Sequence, residues 1–164
     1  MSNKKVVIRG HFVYNIFMNT ISLFILLAGF VIGLGAVTVI DLHGFMGRKS
    51  SYWTVATTRT HKITKPLIWL GMILVIIGGA MFYSGVAMHG VLLFHLISVP
   101  ITILNGIFLS FSVSPFLLKR EKEGKDAELL PTSWQNKITV SFIISFISWW
   151  GNLLVLSYFI ANNL

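Results

Sequence analysis

Residues 12–40 read FVYNIFMNTISLFILLAGFVIGLGAVTVI, an unbroken stretch without one charged side chain. Crossing about 30 Å of hydrocarbon takes roughly 20 apolar residues in a helix, so this stretch is long enough to span a bilayer. It is too long and continuous for a secretory signal, and no small-residue cleavage site clearly follows it, so it is expected to stay in the mature chain. Three further stretches have the same character: 66–85, which reads PLIWLGMILVIIGGAMFYSG, then 88–118 and 138–161. The composition agrees with them. Of 164 residues 55% are hydrophobic and 11% charged, with a mean hydropathy of +0.80. A soluble domain carries about a quarter charged residues; so few charges cannot cover a water-facing surface, and lipid must be the solvent. The expectation is an all-α integral membrane four-helix bundle, antiparallel, forming one domain over residues 1–164.

The connections carry the charge. The thirteen Lys and Arg residues fall into three clusters, at 4–9, 48–65 and 119–137, each flanking an apolar stretch. That placement fits membrane topology and contact with anionic lipid headgroups, and excludes nucleic-acid binding, which needs basic and aromatic residues on a water-facing surface. Ten of the thirteen lie in the two longer connections. The positive-inside rule therefore puts those connections in the cytoplasm and both termini outside, in a cell inner (plasma) membrane. Within the first long connection, Ser50 or Ser51 is placed to cap a short amphipathic helix running to Arg59 at the membrane surface. Pro66 suits the first turn of the second span; were that helix continuous from Ser51, Pro66 would kink it instead. The chain has no cysteine, which removes disulfides, thiolate metal sites and iron–sulfur clusters.

Helices in lipid associate through small residues and polar contacts, because lipid is as apolar as leucine. Each span carries one such stripe. The first offers Asn15, Asn19, Ser22, Gly29, Gly33 and Ala36, and the second Thr64, Gly71, Gly78 and Gly85 at sevenfold spacing. The third offers Met88, His95, Ser98, Thr102 and Gly106 with Asn105 at its edge, and the fourth Ser141, Ser145, Ser148 and Asn152. Gly29, Gly33, Gly71, Gly78, Asn105 and Asn152 are therefore expected to serve packing. Asp and Glu lie outside the four spans so drawn, which weighs against an ion or solute carrier.

No complete catalytic motif is present, and an enzymatic role stays open. Five histidines are the candidates for chemistry. His95 sits on the polar stripe about two turns into the third span, where an imidazole needs a partner. Met88 lies seven residues earlier on the same face, and depth matching puts Met18, Asn19 and Met81 nearby. A His/Met constellation in an apolar bundle suits haem ligation or a soft copper ion; the competing reading is an imidazole that only hydrogen-bonds Asn19 or a serine. His89 and His11 are interfacial positions that are alternative partner ligands. His43 and His61 flank the first long connection, where Asp41 is placed to orient an imidazole, though headgroup contact explains them equally. Trp149 and Trp150 lie near mid-span, suited either to packing on a ring cofactor or to filling lipid-facing space.

Taken together, Ala28-Gly29 followed by Asp41-Leu42-His43-Gly44, then Arg59-Thr60-His61-Lys62 leading through Pro66 into a Gly-rich span, and Met88-His89-Gly90 with His95, make the chain similar to a group of small bacterial membrane proteins. It resembles the copper-resistance D type and the HemJ-type protoporphyrinogen oxidases over about the first two thirds of its length, in arrangement more than identity. The resemblance implies haem or copper in a helical bundle, with His95 or His89, and more weakly His43, as ligands. HemJ-type proteins have a functional histidine within the first span, whereas this chain has His11 only at the edge of its own, so the oxidase activity itself does not carry over. The expected function is binding of haem b or copper for electron transfer or cofactor handling. The alternative is a non-enzymatic membrane subunit or assembly partner, homo-oligomeric or paired with another membrane protein.

Overall fold

The computed structural model describes the backbone of residues 2–163 and the side chains of residues 18–163. The described chain is helical throughout, in the order α1 (Ser2–Met46), α2 (Ser51–Phe82), a 3-10 turn (Gly90–Leu92), α3 (Leu93–Phe108), a π-helical turn (Leu109–Val113), α4 (Ser114–Lys122) and α5 (Thr132–Asn163). Four stretches, Met18–Met46, Ser51–Phe82, Gly90–Lys122 and Thr132–Asn163, are each long and apolar enough to cross a membrane. Four such helices make this a multi-pass membrane protein.

Two boundaries differ from the sequence expectation. The segment from Ser51 to Arg59 is not a separate short helix but the first turns of α2, which continues through Pro66. Proline lacks the N–H that would reach the Lys62 carbonyl, and the helix continues across that missing bond. The first helix likewise runs past Ile40 to Met46, so Asp41 stands inside an apolar helix rather than in a connection. Between α2 and α3 the chain turns through Gly85 and Gly90, whose φ angles of 80° and 58° lie where a side chain would be strained.

Small polar side chains are turned inward beside an apolar core that includes Leu26, Phe30, Met72 and Trp149, while the lipid-facing surface is apolar. Ser22, Thr64, Ser98, Thr102, Asn105, Ser141, Ser145, Ser148 and Asn152 are buried, whereas Phe24, Val31, Leu96, Ile97, Leu104 and Leu154 are exposed. This inversion follows from the solvent: apolar groups gain nothing by leaving lipid, but an unpaired hydroxyl or amide there is costly.

Two interfaces dominate. Helix α1 packs along α2 more extensively than any other helix pair, and glycines set the approach. A side chain on Gly71 would run into the backbone of Gly33, and one on Gly78 into the backbone of Leu26. One on Gly29 would meet the Val75 nitrogen at 2.6 Å and the Gly71 carbonyl at 2.8 Å. Helix α5 lies against α3 and α1. Its Trp149 is buried beside Gly33, edge-on to Phe30 at 6.2 Å between ring centres, while the neighbouring Trp150 is exposed.

Across α3 and α5 the ring of Phe94 packs on Gly151, and hydrogen bonds join the two helices. Asn105 Nδ2 donates to Ser145 Oγ at 2.8 Å and to the Ser141 carbonyl at 3.2 Å, and Ser141 Oγ donates to Asn105 Oδ1 at 2.7 Å. Two turns along, Ser98 Oγ donates to Asn152 Oδ1 at 2.7 Å. One asparagine from each helix thus anchors a satisfied polar cluster.

Candidate ligand site at His95

The Asn152 oxygen that accepts from Ser98 also lies 2.6 Å from His95 Nδ1. An acceptor oxygen requires a donor there, so His95 carries its proton on Nδ1. Its Nε2 then holds the lone pair and faces the Tyr83 hydroxyl at 3.2 Å, which donates to it. The imidazole is therefore fixed in one tautomer by an amide behind it and approached by one phenol in front, as a metal-ligating histidine is oriented by its outer partners.

These three side chains stand on the wall of a cavity of about 340 Å³ between the α1–α2 pair and the α3–α5 pair. The remaining wall is largely apolar, with Leu26, Phe30, Val75, Val99 and Leu156 among its residues, and Met88 joins it from the connection before α3. Pro100 also lines the cavity. Having no N–H, it leaves the Leu96 carbonyl, one turn earlier on the same wall, without its helical donor. An apolar hollow of this size with a few convergent polar groups has the form of a small-molecule site.

The other sequence candidates are placed as follows. Met88 shares the His95 cavity, but His89 does not; it is exposed at the start of the 3-10 turn. The side chain of His11 lies outside the described residues. Met18, Asn19 and Met81, matched to His95 by depth, do not line its cavity; Tyr83 and Asn152 take the partner positions. His43 and His61 belong to the opposite end of the bundle. His43 packs on Trp53 with ring centres 5.1 Å apart, and His61 lines a separate small cavity with Asp41. Asp41 has Ser145 as its polar neighbour. Among the described residues no three His, Asp or Glu side chains converge as a multidentate metal site requires.

No protein-family model, curated protein or solved structure matches this chain. Function must accordingly be read from the site.

Proposed function

We propose that the chain is an antiparallel four-helix plasma-membrane protein, both termini outside, whose His95 cavity takes up a ligand with an apolar body, haem b being the occupant its donor groups suit best. The observation that carries this reading is the single-tautomer His95, its Nδ1 tied to Asn152 and its Nε2 at the wall of an apolar cavity that Met88 shares. His95 and Met88 would hold the iron, as haem proteins use such pairs. Bound there, haem would supply one-electron redox chemistry. Copper suits the site less well, since a soft ion finds one imidazole and one thioether and no third donor among these residues. The residues of the chain itself orient the ligating nitrogen, through Asn152, and exclude water, through the apolar wall. Tyr83 must turn its hydroxyl from Nε2 for a ligand to bind.

One observation favours a second reading. Both ring nitrogens of His95 already have partners, as a purely packing histidine in a membrane subunit would. The two separate in one experiment: visible spectra, oxidised and dithionite-reduced, with metal analysis, on detergent-purified protein from cells supplied with haem and copper. The binding reading expects a Soret band with sharp reduced bands, lost in His95→Ala. A colourless, metal-free protein overturns it and leaves the packing reading, under which His95→Ala lowers thermal stability and changes no absorbance.

A further inference from the structure

The opposite end of the bundle holds a second arrangement that the His95 cavity does not use. In the π-helical turn the Ser114 N–H reaches back five residues to the Leu109 carbonyl. The next nitrogen in that register belongs to Pro115 and has no hydrogen, so the Ser110 carbonyl loses its helical donor. Lys65 Nζ fills the gap at 3.3 Å, and four residues on along α2, Trp69 Nε1 donates to Ser110 Oγ at 3.0 Å. Single π turns of this kind recur at functional sites.

The Lys65 and Trp69 side chains so held form part of the wall of a cavity of about 70 Å³ that Asp41 of α1 and His61 of α2 also line. A water molecule occupies about 30 Å³ in the liquid, so the space admits water. His61 Nε2 is buried and has no hydrogen-bond partner. Among the described residues Asp41 forms no salt bridge, although it shares the cavity with an ammonium. That ammonium is held on the Ser110 carbonyl instead. Ionisable groups within a membrane span are costly and commonly mark proton or ion pathways.

We propose that this cavity is a hydrated proton-binding site, at which Asp41 takes up and releases a proton exchanged with water at that membrane face. In the uptake step a hydronium ion gives its proton to a carboxylate oxygen of Asp41 and leaves as water; no electrons move and no other bond changes. His61, whose buried Nε2 has no partner among the described residues, lines the same cavity and offers a second acceptor. The other titratable groups on the cavity wall are His61 and Lys65 from α2, with Ser145 of α5 beside the carboxyl; the α3, α4 and π-turn residues in the wall, among them Gly106, Ser110 and Val113, bring no titratable group.

The test is infrared spectroscopy of the full chain in lipid vesicles, stepped through pH and repeated in Asp41→Asn to separate Asp41 from the acidic residues at 121–128. The expected result is a carbonyl band of a protonated carboxyl that rises and falls reversibly with pH and is missing in Asp41→Asn. A band of constant intensity at every pH, no band, or a band unchanged in Asp41→Asn overturns the proposal. The titration is expected unchanged in His95→Ala, so it stands or falls apart from ligand binding at His95.

Discussion

The α1–α2 and α3–α5 interfaces answer one physical problem in opposite ways. Between α1 and α2 there is almost nothing but backbone: Gly29, Gly33, Gly71 and Gly78 bring the helices so close that a single added carbon collides. Between α3 and α5 the helices are joined by side chains, with Asn105 and Asn152 each serving two or more partners. Dispersion at the first interface is steep in distance and indifferent to direction. Hydrogen bonding at the second is directional and tolerates a wider gap. Neither seam itself holds a ligand: both cavities lie between the two pairs and take wall residues from each.

The comparison breaks most decisively at Gly71. Gly71→Leu puts side-chain carbons into the Gly33 backbone and should cost about 3 kcal/mol, the upper range for overpacking, measured as loss of resistance to denaturing detergent. Asn105→Leu removes three hydrogen bonds and strands Ser141 and Ser145; polar contacts in membrane helices average about 0.6 kcal/mol each, so a loss of about 1–2 kcal/mol is expected in the same assay. A double-mutant cycle with Ser145→Ala should show coupling there and none with Gly71. The smallest effect belongs to Gly35, where an added carbon meets nothing within 4 Å. Gly35→Ala should be neutral or stabilising by up to about 1 kcal/mol, although it lies two residues from Gly33.

Much of this pairing is legible in the chain before folding. Spans are set by composition, and the stripes at Gly71 and Gly78 or Ser141, Ser145 and Asn152 show which face a helix turns inward. Three things are not. Helix ends in membrane proteins need not stop at the bilayer: α2 has 32 residues, about 48 Å at 1.5 Å per residue, so its first turns continue into water carrying the charges that seem to mark a loop. The first span likewise does not stop at Ile40 but runs on to Met46, which takes Asp41 inside it. The partners of His95 depend on the rotation of α5 against α3, which no local pattern encodes, so Asn152 and Tyr83 were out of reach while His95 itself was not. The π turn did leave a trace: Pro115 following Ser114 withdraws one N–H in mid-helix, a signal for local rearrangement.

The central claim is that Asn152 holds His95 with its lone pair on Nε2, turned to the cavity. The nitrogen NMR spectrum of histidine-labelled protein at neutral pH reads this directly. The structure predicts a neutral His95 protonated at Nδ1, shifting to a mixed tautomer population in Asn152→Leu. A wild-type His95 protonated at Nε2, with Nδ1 bare toward Asn152, would contradict it and remove the basis for a ligand at that nitrogen.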